Sequence, residues 1–579
     1  MPRLTDKNSW LWALLASGTA AAILLGTFVV FGQPSGHDVD FHLASWMDVA
    51  LQWRRGVLFP RWAVWANYGF GEPRFIFYPP ISWCLGAALG LVLPWFLTPC
   101  VFIFVALAIA GLSMYRLVRD WMPQSGAVMA AVVYAVNPYY LLNIYLRSDF
   151  AELLASAMFP LALHYALEVA SVGPAPSLVA KGSEGVPARL QTRLQTINWR
   201  RAAWLAVVYA AIWLTNAPTA VVTSYALALM LIVSAVQGRS AKPLLGGAIG
   251  LATGLALASA YIIPAVLEEK WVNIAQVVTE GLRFGDNFLF TAILDPEHNL
   301  FNDIVSWVAI LTIVLAGITA VISHRRARGS EARWMQMFVL CAVSVAVMFP
   351  LSRLAWETLP ELHFVQFPWR WLFPVAVSLA FFIGEMWSCC RRRFVLGALV
   401  LIIWVGCGAG VMACAFWNSD EAPDTYAAIE GDQGYEGTDE YVTLGADHYD
   451  LPQKAPEVAL VAPGDEYDPT VPVKIPDSNV TMETWQPEHK AFAVDSSRPV
   501  RAAVRLLNYP AWRVRENGAV VKAESDGNTG QMLLTLPSGH SEIDVRFGRT
   551  PDRTLGAAIS CFGVALVAGM FSLSRRRVP

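Results

Sequence analysis

Long apolar runs follow one another along most of this chain. The runs with the length of a membrane-spanning helix are 9–31, 97–117, 124–142, 151–171, 202–217, 219–236, 244–264, 303–323, 334–352, 370–388, 395–416 and 555–573. As helices they match the roughly 30 Å hydrocarbon core of a bilayer, where a backbone must satisfy its own hydrogen bonds. The first run is too long for a signal-peptide core, so we expect it to be retained. The pattern predicts a polytopic α-helical membrane protein with about 12 transmembrane helices.

One further run, 79–95, is shorter and contains proline near both ends, at Pro79-Pro80 and Pro94. Lysine and arginine collect on the cytoplasmic side of membrane proteins. If this run crossed the membrane, the basic segment 181–201 would lie outside, against that rule. We therefore predict that 79–95 lies at the membrane surface or re-enters without crossing.

The same charge rule orients the whole chain. Both termini and the cluster Arg391 to Arg393 fall on the cytoplasmic side. The loop 32–78 and the segment 143–152 then share the outer face. We predict a multi-pass protein of a bacterial inner membrane, with residues 418–554 in the periplasm.

The long polar stretch 418–554 begins acidic and rich in Gly, Pro and Asp. From about residue 470 it alternates apolar and polar positions, and turn signals such as Asn517-Gly518 interrupt the alternation. The pattern predicts a small antiparallel β domain. The expected division is 1–417, a helical membrane domain with outer loop 32–78; 418–554, a periplasmic domain, mainly β from about 470; and 555–579, a final helix with a basic cytoplasmic tail.

Composition excludes several classes of function. Only 15% of the residues are charged, the net charge is -3, and no basic tract is interleaved with aromatic residues, so we expect no nucleic-acid partner. The eight cysteines all lie in or beside apolar runs. This placement predicts neither a disulfide framework nor a cysteine metal site.

A first polar cluster, Asp38-Val39-Asp40-Phe41-His42, follows the first apolar run. Carboxylates and an imidazole at a membrane surface suit a general base or a divalent-cation site for Mg²⁺ or Mn²⁺, with Asp38, Asp40 and His42 as ligands. The alternative is an ordinary loop in which Asp40 caps a helix that begins near Phe41. Downstream, Asn67 opens a glycine-rich turn whose backbone can approach a ligand.

Two further clusters lie at predicted helix mouths. In the segment 145–152, Asp149 and Glu152 are three residues apart and share a helix face, with Arg147 as a partner for a structural salt bridge in the alternative interpretation. In Gln366-Phe367-Pro368-Trp369-Arg370, the arginine suits the bidentate recognition of a phosphate. The alternative for Arg370 is an interfacial anchor that extends its charge to the headgroups.

Several segments carry a resemblance to known families: Asp38 to His42, Pro60 to Trp62, Asn67 to Gly71, Phe77 to Pro80, Arg147 to Glu152 and Gln366 to Arg370. In this order they resemble the GT-C superfamily of membrane glycosyltransferases, which take a sugar from a polyprenyl-phosphate donor. They are more closely similar to a bacterial integral-membrane family related in name to 6-pyruvoyl-tetrahydropterin synthase. The C-terminal part resembles a bacterial membrane-protein family with an outer β domain, through Tyr509 to Trp512, Asn517-Gly518 and Arg549 to Pro551.

The resemblance implies a GT-C-like fold and inverting transfer from a polyprenyl-phosphate-linked sugar to a glycan, lipid or protein acceptor on the outer face. It implies that Asp40 or Asp38 acts on the acceptor or holds a metal, and that the second outer acid is Asp149 or Glu152. It also implies that Arg370 holds the donor phosphate. The other expected substrate contacts are Arg147, His42, Gln366, Trp369 and Asn67.

Two other functions remain open from the sequence. A transporter or flippase of lipid-linked glycans would use the same charges, but it calls for discontinuous helices and acids at the bilayer midplane. A non-catalytic scaffold of envelope assembly would use the β domain to bind a partner or glycan. The placement of the acids at helix mouths favours the glycosyltransferase.

Overall fold

The computed structural model describes residues 9–170, 197–324, 331–389, 393–463 and 475–575. Its longer helices are Ser9–Phe31, Val39–Arg54, Pro80–Gly90, Thr98–Val118, Gln124–Ala135, Phe150–Ala170, Trp199–Trp213, Ala217–Gln237, Lys242–Glu268, Pro296–His324, Glu331–Val347, Leu372–Cys389, Arg393–Ala413, Glu421–Glu430 and Pro551–Arg575. Short helices are Arg74–Phe77, Pro138–Leu142 and Arg353–Thr358, and Asn143–Arg147 is a π-helical turn.

Ten helices in these ranges are long and apolar enough to cross a membrane. The pair Glu331–Val347 and Pro350–Thr358 is bent by 89° and makes an eleventh if it is one span. The helix Trp199–Trp213, which covers most of the predicted run 202–217, has 15 residues and is about 22 Å long, shorter than the hydrocarbon core. The predicted fold class, a polytopic helical membrane protein with a C-terminal β region, is confirmed, with ten or eleven candidate spans.

The proline-bounded run 79–95 forms the helix Pro80–Gly90, which has 11 residues. A helix of that length is about 16 Å long, half the thickness of the hydrocarbon core. It is a short apolar helix and not a candidate span. This length favours the prediction that the run does not cross the membrane, which stays a prediction.

Three helix ends predicted to be cytoplasmic meet at one end of the bundle. Arg201 Nε lies 2.7 Å from Glu168 Oε2, and Arg116 Nη2 lies 3.6 Å from Glu168 Oε1. Glu168 closes the helix that begins at Phe150, so the segment 143–152 lies at the opposite end of the bundle. Which end faces the cytoplasm stays a prediction from the charge rule.

The C-terminal β region consists of two antiparallel sheets. Its strands are β1 Val458–Val461, β2 Ser478–Gln486, β3 His489–Ser496, β4 Val500–Leu507, β5 Trp512–Glu516, β6 Ala519–Val521, β7 Glu524–Ser525, β8 Gln531–Leu536 and β9 Gly539–Phe547. The sheet orders are β1-β4-β8-β7 and β2-β3-β9-β5-β6. Apolar side chains from both sheets share one buried core, as in a β-sandwich.

The turn signals of the sequence mark real hairpins. Asn517 and Gly518 connect β5 and β6 with φ of 49° and 82°, the two positive values that a type I′ hairpin turn needs. One strand was missed: β1 precedes residue 470 and pairs with β4, from Val458 opposite Val504 to Val461 opposite Arg501. Four residues are too short a stretch to reveal an alternating pattern.

The β region is attached to the helices through the buried carboxylate of Glu268, the last residue of its helix. Arg553, in the first turn of the final helix, donates from Nε and Nη2 to the two carboxylate oxygens at 2.7 Å each. Tyr509 donates its hydroxyl to Oε2 at 2.5 Å, and Thr550 donates to Oε1 at 3.1 Å. One buried charge therefore joins two membrane helices to the sandwich.

The first loop completes this attachment with aromatic rings. Trp62 packs against Tyr509, Trp512 and Phe547, with ring centroids 5.5–5.7 Å apart. Trp62, Tyr509 and Trp512 belong to segments that carry the family resemblance. These residues therefore have a structural role in addition to any contact with substrate.

We expect Tyr509→Phe to destabilise the full-length chain by about 1.5–3 kcal/mol, because a buried carboxylate loses one charge-assisted donor. The matched control is Tyr426→Phe, whose hydroxyl donates to Glu430 at 2.9 Å in an exposed pair. That variant should change stability by about 0.5 kcal/mol or less. Thermal unfolding in detergent compares the two, and equal midpoints would contradict a stabilising role for the Glu268 cluster.

Candidate functional site

The polar cluster in the segment 145–152 is placed by a break between two long apolar helices. The π-helical turn Asn143–Arg147 ends at Ser148, which has a left-handed φ of 55°. Asp149 then caps the next helix, accepting a hydrogen bond from the Glu152 amide at 2.9 Å. This capping turns the side chains of Arg147, Asp149 and Glu152 toward one another.

Arg147 is the centre of the cluster. Its Nη1 donates to Glu152 Oε2 at 2.7 Å and to Asn143 Oδ1 at 3.1 Å, and its Nη2 donates to Asp149 Oδ2 at 2.8 Å. Its guanidinium carbon lies 4.9 Å from the centroid of the Trp369 ring, at cation–π distance. Packing against Trp369 therefore adds to the ion pairs that hold Arg147 in place.

Arg370 approaches the same acids from the start of another helix. Its Nε donates to Glu152 Oε2 at 2.8 Å, and its Nη1 donates to the Val365 carbonyl at 2.6 Å and to Gln366 Oε1 at 3.3 Å. Its Nη2 lies 3.6 Å from Asp149 Oδ2, beyond hydrogen-bond length, so this donor is available to a ligand.

Gln366 has the φ/ψ pair 63° and -53°, which is unfavourable for a residue with a side chain. The side-chain amide of Gln366 donates a hydrogen bond to the Val277 carbonyl at 2.7 Å. This contact and the bond with Arg370 hold the backbone where the arginine needs it. Such strained residues concentrate at functional sites.

The loop 32–78 lies directly against this cluster. The Asp38 amide donates to the Arg147 carbonyl at 2.8 Å, and Asp38 Oδ2 lies 3.6 Å from Arg147 Nη2. A Cβ at Gly36 would come within 2.6 Å of the Arg147 carbonyl carbon, so only glycine permits this approach. The two predicted outer segments are thus in contact.

His42 lies one helical turn after Asp38 and is buried. Its Nε2 is 3.8 Å from Asp149 Oδ1 and has no hydrogen-bond partner among the described residues. The ring sits in an aromatic group that includes Trp46 and Phe150. His42 therefore borders the cluster from its apolar side.

A cavity of about 460 Å³ opens beside the cluster. Of the predicted site residues it is lined by Asp38, Arg147, Asp149, Gln366 and Arg370. Glu152 and Trp369 are buried behind the two arginines and hold them in place. The site therefore has two layers, a cavity wall and a supporting layer of buried groups.

Two predicted residues lie neither on the cavity wall nor in the cluster beside it. Asp40 is exposed and interacts with the Glu421 carboxyl at the start of the helix Glu421–Glu430, so its predicted catalytic position next to Asp38 is not what the structure has. Asn67 is fully buried and donates to Glu72 Oε2 at 3.2 Å, which makes it a structural residue of the loop.

The predicted metal ligands Asp38, Asp40 and His42 do not converge. Asp40 lies apart, and the Arg147 guanidinium occupies the space where Asp38 and Asp149 come nearest, 3.6 Å from one and 2.8 Å from the other. Across the described ranges no three His, Cys, Asp or Glu side chains are grouped as a metal site. These residues do not fit a divalent cation.

The acids of the cluster differ in their affinity for a proton. Partial burial, followed by the charge of Asp149, raises the pKa of Asp38 above its ordinary 3.8. Burial also opposes ionisation of Asp149, but the Arg147 guanidinium overcomes it and holds the pKa of that carboxyl well below its usual range. Asp38 is consequently the better proton acceptor of the two.

One wall of the cavity was missed by sequence reasoning. Thr438, Glu440 and Tyr441 line it from the polar segment between the last two long helices. Glu72 holds this wall: its Oε2 accepts from the Thr438 amide at 3.0 Å, and its Oε1 accepts from Arg74 Nε at 2.6 Å. The sequence signal available was an acidic, glycine-rich stretch, which is ordinary for a surface loop.

One segment of the chain matches a known family of membrane proteins. Residues 189–415 match the 6-pyruvoyl-tetrahydropterin synthase related family of membrane proteins. The matched segment includes Gln366, Trp369 and Arg370 and ends before the β region. The family resemblance stated from the sequence is confirmed over this segment. No curated protein matches the chain.

Several solved structures are similar to this chain. An Archaeoglobus fulgidus oligosaccharyltransferase has 13% identity and a TM-score of 0.43, over 73% of this chain and 56% of that one. The mycobacterial arabinofuranosyltransferase AftD has 15% identity and a TM-score of 0.41, over 72% of this chain and 29% of that one. ArnT from Cupriavidus metallidurans, bound to undecaprenyl phosphate, has 11% identity and a TM-score of 0.41, over 69% of this chain and 64% of that one. This chain spans about half the length of the first and under a third of the second.

Proposed function

We propose that this protein is a membrane glycosyltransferase that moves a sugar from a polyprenyl-phosphate-linked donor to an acceptor at the outer face. The observation that carries the proposal is the cavity in which Arg147 and Arg370 meet Asp38 and Asp149 at one end of the helices. Paired arginines recognise a phosphate, and a nearby carboxylate with a raised pKa accepts a proton.

In the proposed reaction Arg370 holds the donor phosphate through its available Nη2, and Arg147 adds a second positive charge beside it. When the bond between the anomeric carbon and the phosphate oxygen breaks, the electron pair stays on the lipid phosphate. The two guanidinium groups stabilise that charge, so the leaving group needs no proton.

Asp38 is the proposed general base. It takes the proton of the acceptor hydroxyl as the acceptor oxygen bonds to the anomeric carbon. One displacement at that carbon inverts its configuration. Glu152 and Asp149 keep the two arginines in position through the hydrogen bonds described above.

Two features of the described helices favour the transporter alternative. One is the span Gln124–Arg147 with its π-helical turn, and the other is the pair Glu331–Val347 and Pro350–Thr358, which is bent by 89°. The carboxylates, however, lie together at one end of the helices, beside a cavity that also receives Thr438 and Glu440. A substrate pathway through the membrane calls for polar groups near its midplane. The geometry therefore supports surface chemistry better than transport.

The test is the binding of undecaprenyl phosphate to the purified chain. We expect Arg370→Gln to weaken it by about 1.5–3 kcal/mol, roughly 10–150-fold in Kd, and Arg370→Lys to lose part of the affinity, because the point charge lacks the planar fork. Arg353→Gln, which removes an exposed arginine paired with Glu357, is the control. Equal affinity of all four proteins would overturn the proposed phosphate site.

A further inference from the structure

The wall formed by Thr438, Glu440 and Tyr441 is rigid although it belongs to a long irregular segment. The Thr438 hydroxyl donates to Glu72 Oε1 at 3.3 Å, in addition to the amide bond described above. The ring of Tyr441 stacks on Phe77 at 5.8 Å with an interplanar angle of 9°. Side chains on this wall are therefore presented to the cavity in fixed positions.

Glu440 is a carboxylate of this wall whose hydrogen-bond partner is its own backbone amide. It lines the cavity and is half-buried, and among the described side chains none donates a hydrogen bond to it. Burial first, and then the charge of Glu72, raises the pKa of Glu440 to about 7, while Arg74 acts in the opposite direction. A desolvated carboxylate to which no side chain donates gains stability from a ligand that supplies further donors.

The cavity therefore has two unlike polar ends. The end with Arg147 and Arg370 supplies N–H donors and suits an anion. The end with Glu440 offers acceptor oxygens and suits a ligand that carries several O–H donors. Aromatic rings also line the cavity, with the Phe41 centroid 4.7 Å from that of Tyr78 and 6.5 Å from that of Tyr441.

We propose that Glu440 positions the acceptor and that the acceptor is a carbohydrate, bound by neighbouring hydroxyls on the Glu440 carboxylate with its apolar face against the Tyr441 ring. This inference rests on the proposed function, which assigns the arginine end to the donor phosphate. A sugar offers both the hydroxyl donors and the C–H face that this wall matches, whereas an acyl chain has no hydroxyl donors.

The experiment uses the full-length protein in nanodiscs and saturation-transfer NMR with four probes: methyl α-mannoside, methyl β-glucoside, methyl β-galactoside and methyl α-arabinofuranoside. We expect wild type to bind at least one of them and Glu440→Gln to bind it about tenfold more weakly or worse. Glu436→Gln, which changes an exposed acid of the same segment, should bind as wild type does. Undecaprenyl phosphate should bind Glu440→Gln as it binds wild type. A general loss of structure would weaken the binding of both ligands, not of the glycoside alone.

Two results would overturn the inference: equal glycoside binding by wild type and Glu440→Gln, or no glycoside binding by wild type. Failure of the proposed function gives a different result. In that case undecaprenyl phosphate binding is the same for wild type and Arg370→Gln, whatever the glycosides do. Glu440→Ala, which removes the carboxylate altogether, should match Glu440→Gln if hydrogen bonding to the ionised group is what matters.

Discussion

Replacing Arg147 by glutamine is expected to destabilise the chain by about 3–5 kcal/mol, the largest effect on stability that the site predicts. Arg147 compensates Glu152, which is fully buried, and Asp149, which is nearly so. Without the guanidinium these carboxylates keep their desolvation cost and lose their principal partner. The first loop should also loosen, because Asp38 loses its ion pair with Arg147.

The control for that prediction is Arg353→Gln, which removes the exposed ion pair with Glu357, 2.8 Å long. Exposed pairs contribute about 0–1 kcal/mol, so this variant should unfold almost as wild type does. Thermal unfolding in the same detergent gives the comparison. If Arg147→Gln unfolds at the wild-type midpoint, the cluster does not stabilise the joint between the two outer segments.

Asp38→Asn is expected to lower the rate of sugar transfer by about 10²–10⁴-fold, the usual contribution of a general base. The amide keeps the size of the side chain but cannot accept the acceptor proton. Donor binding should persist, since the arginines remain. The matched control is Asp40→Asn, two residues away, exposed and outside the cavity.

The pH dependence gives a second readout for Asp38. The base must be ionised to act, and its pKa is raised, so transfer should decline with falling pH at values above the 3.8 of an ordinary aspartate. Equal rates for Asp38→Asn and wild type, or a loss in Asp40→Asn alone, would assign the base to another residue.

The sequence predicted the larger features because bilayer physics leaves few choices. Runs of about 20 apolar residues must be helices, and the charge rule with the proline-bounded run 79–95 required a segment that does not cross. That argument brought the first loop and Asp149 to the same end, where the ion pair between Asp38 and Arg147 now joins them. Asn517-Gly518 likewise predicted its hairpin, because few residue pairs accept two positive φ values.

The choice between Asp38 and Asp40 was open to a further argument. The helix Val39–Arg54 begins directly after Asp38, and residues two apart on a helix do not share a face. Asp38 and Asp40 are therefore expected to point to different sides, whereas His42, four residues after Asp38, is expected on the same side as Asp38. Helix geometry therefore distinguishes Asp38 from Asp40, between which the resemblance did not choose.

The remainder depended on contacts between distant parts of the chain. Glu440 reaches the cavity only because Thr438 binds Glu72, and Glu268 attaches the sandwich only because Arg553 and Tyr509 reach it. No periodicity or local spacing encodes pairings across hundreds of residues. For the same reason the structural role of Asn67 was not visible, since its partners Gly71 and Glu72 are recognisable only once the loop is folded.

The central claim is that this cavity transfers a sugar from a lipid phosphate. The most direct measurement incubates purified wild type with radiolabelled undecaprenyl-phosphate sugars and with membranes from cells of the source organism that lack the protein, which supply the native acceptor. The account predicts that label leaves the lipid and appears in a glycan, and that Asp38→Asn stops this while Asp40→Asn does not. Label that stays on the lipid with folded wild type, or transfer that proceeds equally in Asp38→Asn, would contradict it.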